Sequence, residues 1–182
     1  MDSLPAASMR GGRFVVSLPA DALVLLIGIA GSGKSTFAAR HFRDTEVLSS
    51  DRLRAAITDD PHAQGATDDA FDLLHRILEL RLRRARLTVV DATNVEGWAR
   101  AELLGAARRH RRPAVAIVLD LPIDEALRRN LARPLPRPPA VALRRQARWL
   151  ADSLPELERE GFAAVHRLTS ADAVDRTRVV RR

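Results

Sequence analysis

Five short apolar runs punctuate the chain, at residues 23–27 (LVLLI), 46–48 (EVL), 87–91 (LTVVD), 115–120 (VAIVLD) and 163–168 (AAVHRL). They are too short for core helices and mostly lack the alternation of a strand with one wet face, which predicts strands buried on both faces of a sheet. Between them the period becomes helical. Over residues 68–84, Ala70, Phe71, Leu73, Leu74, Ile77, Leu78, Leu80 and Leu82 fall on one broad face of a helix. Strand alternating with helix predicts an α/β fold, a parallel sheet with right-handed crossovers and helices on both sides.

Two stretches break the pattern. Residues 133–139 (RPLPRPP) hold four prolines, which exclude regular helix and predict a stiff loop between helices. Residues 1–20, punctuated by proline and glycine around RFVVSL, read as an N-terminal arm or a short edge strand, leaving residues 21–182 as one domain. No internal repeat and no dividing linker is visible.

Composition narrows the chemistry. The chain has no cysteine, which excludes a disulfide scaffold, cysteine-ligated zinc and thiol catalysis, and fits a cytoplasmic setting. Neither a signal peptide nor a run long enough to span a bilayer is present, so no membrane partner is expected. The net charge of +7 suits a polyanionic partner, although arginine-rich runs such as RLRRAR and RRHRR read equally well as solvated helix faces.

Lys34 is the only lysine; every other strong cation is arginine. It sits in Gly28-Ile-Ala-Gly-Ser-Gly-Lys-Ser-Thr36, directly behind the apolar run at 23–27 and ahead of a helix expected over 35–42. Those residues fit G-x-x-x-x-G-K-[ST] in the strand–loop–helix context the motif requires. Gly28, Gly31, Ser32 and Gly33 would turn backbone N–H groups inward onto phosphate oxygens, with the helix N-terminus adding positive potential. A slim ammonium reaches between β- and γ-phosphates where a planar guanidinium is too wide. Ser35 would ligate Mg²⁺. The expected occupant is ATP, GTP or another NTP with Mg²⁺. Nucleotide binding does not by itself specify a reaction.

Acidic residues recur where strands end, the edge at which open α/β sheets bind ligands. Asp51, after EVLSS, is placed to take a proton from an attacking hydroxyl; taken alone, its reading as a helix cap is the stronger one. Asp91, after LTVV, suits an indirect metal contact through water or Ser35, or an ordinary turn. Thr93 and Asn94 divide in the same way. Arg54, one turn beyond Asp51, would hold a substrate phosphate or simply face solvent. Arginines also gather around the proline-rich loop, at 128, 129, 133, 137, 144 and 145, where a mobile lid would stabilise transferring phosphoryl oxygens.

The set GSGKSTFA, EVLSSDRLR, TDDAFDLLH, LTVVDATN, RRNLARPLPR and LEREGF, in this order and spacing, resembles the kinase domain of bacterial polynucleotide kinase-phosphatase over nearly the whole chain, from about 23 to 180. The resemblance implies a P-loop NTPase-type sheet with an arginine- and proline-rich lid at about 128–145. It implies transfer of the γ-phosphate of an NTP to the 5′-hydroxyl end of RNA or DNA in end-healing repair. By the same resemblance Lys34, Ser35 and Thr36 contact phosphate and metal, Asp51 is the general base, Arg54 clamps the first internucleotide phosphate, and Arg129 is a lid arginine on the donor phosphates. A second lid arginine is expected at Arg137, one position out of register, with Arg133 as the alternative. In that family the kinase is one module of a longer chain with phosphatase and ligase-like domains. The chain is thus expected either as such an N-terminal module, with a homodimer in the full-length context, or as a free-standing kinase.

Two other functions compete. A small-molecule kinase acting on a nucleoside, sugar or antibiotic shares the fold and the phosphate loop, but leaves Arg54 nothing to hold. A non-catalytic nucleotide switch of the usual GTPase kind needs an Asn-Lys-x-Asp box, which a chain with one lysine, in the phosphate loop, does not contain.

Overall fold

The computed structural model describes residues 8–10 and 13–182. In chain order its strands are β1 (Ser8–Arg10), β2 (Arg13–Leu18), β3 (Leu23–Ile27), β4 (Val47–Ser49), β5 (Thr88–Asp91), β6 (Ala114–Leu119), β7 (Ala164–Leu168) and β8 (Arg178–Arg181). Its α-helices are α1 (Lys34–His41), α2 (Ser50–Thr58), α3 (Thr67–Arg83), α4 (Gly97–Arg109), α5 (Ile123–Leu131), α6 (Ala140–Ser153) and α7 (Ala171–Arg176).

Five strands form an all-parallel sheet in the order β4-β5-β3-β6-β7. The α/β sheet flanked by helices is therefore the one the apolar runs predict, and each predicted strand lies within a residue or two of its run. β3 is its centre, and all five of its residues are inaccessible to solvent. Because successive strand side chains point to opposite faces, Leu23, Leu25 and Ile27 pack with Leu74, Leu78, Leu103, Leu104 and Leu150 from α3, α4 and α6. Val24 and Leu26 pack on the other face with Phe37 and Ala38 of α1 and with Ala173 and Val174 of α7. Each such buried aliphatic side chain contributes about 1.5–3 kcal/mol relative to exposure.

A second, three-stranded sheet has the order β1-β2-β8, with β1 antiparallel and β8 parallel to the central β2. The segment read as an arm or edge strand thus contributes β2, whose Val16 and Leu18 are fully buried in the second cluster. Residues 1–7 and 11–12 lie outside the described residues. β8 had no sequence signal, since it offers only Val179 and Val180 between arginines.

All five strands of the main sheet run one way, so their carboxyl ends share one edge. That edge receives the loop after β3, the start of α2 after β4, and residues 91–94 after β5.

Candidate active site

The loop from β3 into α1 is shaped by contacts its glycines permit. Gly31 has φ +83°, and a Cβ there would stand 2.5 Å from the Ala126 carbonyl oxygen of α5. Gly33, at the capping position of α1, has φ +96°. The loop is closed onto its neighbours by the Gly28 amide, which donates to the Thr93 carbonyl oxygen at 3.0 Å. The first amides of α1 have no intrahelical acceptor, and the buried Ser32 hydroxyl has no partner among the described residues. Orphan donors at the positive end of a helix form an anion cradle.

Lys34 is buried beneath this cradle. Its Nζ donates to the carbonyl oxygens of Gly28 at 2.8 Å and Ile29 at 2.9 Å, which uses two of its three hydrogens. Burial pushes its pKa down to about 8; Asp91 pulls upward, Arg133 pushes further down, and Asp51 pulls upward. Burial likewise pushes the Asp91 carboxyl up, opposed by the Lys34 ammonium and the Ser35 hydroxyl. Lys34, Ser35, Asp51, Asp91, Thr93 and Arg133 line one cavity of about 80 Å³. The structure therefore gathers, at one point, residues from four separate segments.

At the start of α2 the N-cap position belongs to Ser49, whose side chain makes no capping bond. Asp51 lies inside the first turn and forms an ion pair with Arg54 Nη2. The pair is lopsided: the Asp51 side chain is 64% exposed and that of Arg54 only 11%. Arg54 is further tethered through Nε to the Pro61 carbonyl oxygen at 3.0 Å. An anchored guanidinium thus holds a carboxylate that remains open to a hydroxyl.

The arginines of the proline-rich segment divide. Arg129 Nε donates to Glu125 at 2.7 Å, and its Nη1 lies against Gly33, 3.3 Å from where a Cβ would be. Arg133 lines the cavity around Lys34. Arg137 instead donates from Nη1 to the carbonyl oxygens of Leu131, at 3.1 Å, and Arg133, at 3.0 Å, so it ties the end of α5 to the loop. Asn94, with φ +50°, donates to the Leu26 carbonyl oxygen at 2.8 Å and so fastens the end of β3. Thr36 is exposed on the first turn of α1.

Two residues that sequence reasoning passed over support the site. Gln146 of α6 accepts the Ala30 amide through Oε1 at 2.9 Å, across 116 residues, so the helix beyond the proline-rich loop grips the phosphate loop directly. Arg100 is fully buried, donates to Glu160 Oε2 at 2.8 Å, and braces the Asn94 carbonyl oxygen at 2.9 Å. An arginine set close to Leu103 and Leu104 is a faint signal for the latter; Gln146 gave none.

A family profile described as "AAA domain" matches residues 23–157. The chain belongs to that family. No match was found among curated proteins. Among solved structures, a chain of the Pnkp1/Rnl/Hen1 RNA repair complex is similar with TM-score 0.65 and 20% identity over 78% of this chain. This chain spans only 47% of that one. A gluconokinase from Sinorhizobium meliloti is similar with TM-score 0.54 and 19% identity, covering 87% of each chain. The Mycobacterium tuberculosis APS kinase CysC, in complex with AMPPNP and APS, is similar with TM-score 0.54 and 20% identity, over 87% of this chain and 93% of that one. At such identities these likenesses show the fold, which is P-loop kinase-like.

The residues present fit a nucleotide polyphosphate: orphan amides, an unpartnered buried hydroxyl and a buried ammonium all face one loop. Among the described residues no group of three His, Cys, Asp or Glu could hold a metal by itself. A magnesium ion would therefore rest on Ser35, phosphate oxygens and water, with Asp91 nearby, as this cation commonly does beside phosphates. Among the described residues no helix is long and apolar enough to cross a membrane.

Proposed function

We propose that the protein is a phosphotransferase, a polynucleotide 5′-hydroxyl kinase that moves the γ-phosphate of an NTP to the 5′ end of RNA or DNA. The observation that carries the reading is the single cavity in which Lys34, Ser35, Asp51, Asp91 and Arg133 meet. Asp51 and Arg54 as a pair, the +7 charge and the fold shared with a chain of an RNA repair complex support the acceptor.

In this mechanism the phosphate loop and Lys34 hold the β- and γ-phosphates. Asp51 accepts the proton of the 5′-hydroxyl as its oxygen bonds to the γ-phosphorus. The bond from that phosphorus to the bridging oxygen breaks, and the electron pair leaves on the nucleoside diphosphate. Mg²⁺ held at Ser35 would offset charge on the phosphate oxygens. Arg54 orients Asp51 and meets the first internucleotide phosphate, while Arg129 and Arg133 face the donor phosphates from the lid. Arg133, rather than Arg137, is the second lid contact, because Arg137 is engaged with backbone. On this reading the chain is either a kinase module of a longer repair protein or a free-standing kinase, and β2 is part of its core.

The test is transfer of labelled γ-phosphate to a 5′-hydroxyl oligonucleotide beside bare nucleosides and nucleoside 3′-phosphates. A nucleoside 3′-phosphate should be the smallest good acceptor. Equal activity on a nucleoside and its 3′-phosphate would favour a small-molecule kinase instead.

A further inference from the structure

A cavity of about 450 Å³ opens between α3 and α4, beside the carboxyl end of β5. Thr93 lines both this cavity and the smaller one around Lys34 and Asp51, so the two adjoin. The mechanism above leaves the larger one unused.

Its lining combines two chemistries. Phe71 and Trp98 supply aromatic surface; Trp98 is 65% exposed, unusual for so large a ring, and its Nε1 donates to Glu96 Oε1 at 3.1 Å, which fixes the indole. Around them stand carboxylates. Glu102 faces His75 Nε2 at 3.5 Å, while Asp68 and Asp72 have no ion-pair partner among the described residues. Ionised carboxylates only accept hydrogen bonds. The cavity therefore selects a flat or apolar ring that donates N–H groups, and rejects a phosphate.

We propose that this cavity seats the base of the acceptor's own 5′-terminal nucleoside and prefers bases with exocyclic amino groups. The proposal rests on the polynucleotide reading. A base stacks on aromatic surface without regard to identity. The carboxylates add selection: cytosine N4–H₂ donates to one oxygen, and the neighbouring N1–H and N2–H₂ of guanine can donate to both oxygens of one group. Junction with the Asp51 cavity at Thr93 brings the sugar's 5′-hydroxyl towards Asp51, whose ion-pair partner Arg54 then meets the phosphodiester. The slender cavity thus takes the donor phosphates and the acceptor's 5′-hydroxyl, and the wide one takes the acceptor's base.

The experiment uses the Trp149→Phe protein, in which Trp98 is the only tryptophan, and reads its fluorescence on titration with guanosine against inosine and cytidine against uridine. Guanosine and cytidine should bind about tenfold tighter than their partners, and Asp68→Asn/Asp72→Asn should abolish the difference. In parallel, transfer is measured on oligonucleotides differing only in the 5′-terminal base, where kcat/KM should follow the same order and flatten in Trp98→Ala. Equal affinities within each pair, or a response to glucosamine but to no nucleoside, would overturn the proposal. Transfer indifferent to the terminal base and to Trp98 would overturn it while leaving the kinase reading intact. Selective nucleoside binding without transfer to any oligonucleotide would sink the kinase reading and leave the cavity's selectivity standing.

Discussion

Lys34 and Arg100 are both buried cations, and they are treated in opposite ways. Arg100, beneath the loop after β5, has Glu160 as a two-point counter-ion and the Asn94 carbonyl as a further acceptor. Lys34, beneath the loop after β3, has two backbone carbonyls and no carboxylate in hydrogen-bond contact, and burial pushes its pKa down to about 8. A fully matched charge holds structure together; a charge left partly unmatched is ready to meet anions brought from outside. The difference predicts which substitution damages the fold and which damages the chemistry.

The largest effect should come from Lys34. Lys34→Met should slow phosphoryl transfer about a thousandfold, and Lys34→Arg nearly as much, because the guanidinium does not fit the loop. Single-turnover rates read the loss, and near-normal turnover of the arginine variant would defeat the steric argument. Arg100→Met should instead destabilise the fold by about 3–5 kcal/mol, since Glu160 is left facing the interior alone. Denaturant midpoints should recover most of that loss in Arg100→Met/Glu160→Met; no recovery would mean the pair is not the cause.

Asp51 and Arg54 lie between these extremes, one partner open and one enclosed. Asp51→Asn should cut transfer about a hundredfold while leaving the melting temperature within a few degrees, because it removes a proton acceptor and not a cap. A folded asparagine variant with normal rates would return Asp51 to a structural role. The two lid candidates sharpen the contrast further. Arg133→Ala should slow transfer about tenfold to a hundredfold, whereas Arg137→Ala should mainly loosen the segment after α5 and change the rate little. The reverse ranking, in steady-state kinetics, would exchange their roles.

The smallest effect concerns a buried group with no charge to match. His166 on β7 is almost wholly buried, neither ring nitrogen has a partner among the described residues, and burial pushes its pKa below the usual 6.5. The unfolded chain then binds a proton at a pH where the folded chain does not. Its stabilising contribution is present above 6.5 and is lost as pH falls through the lower folded value, by up to about 1.4 kcal/mol per pH unit. His166→Leu should flatten that part of the stability–pH curve measured by urea denaturation. An unchanged slope would assign the acid sensitivity elsewhere.

Much of this was legible in the chain itself. The apolar runs located all five strands of the main sheet because a strand buried on both faces must be apolar along its length, and α3 announced itself through one stripe of leucines. The phosphate loop was legible for the same reason: its glycines, Lys34 and Ser35 act through a few consecutive residues. The second sheet was not, because β8 is half-exposed and its arginines mask the two valines that pair with β2. Asp51 was legible as a candidate only; its exposure and its tie to Arg54 were not.

The chain order of the five main-sheet strands, the anion cradle and the single lysine in it were determined by sequence, since each follows from the covalent neighbours of the residues concerned. Tertiary structure alone decided that Gln146 grips Ala30, that Glu160 matches Arg100, that Arg133 and not Arg137 lines the cavity, and that an aromatic, acid-walled space adjoins Asp51. Each of these depends on two or more segments far apart in the chain meeting at a few ångströms. That meeting is fixed by how the helices pack on the sheet, a property of the whole core and not of any local pattern.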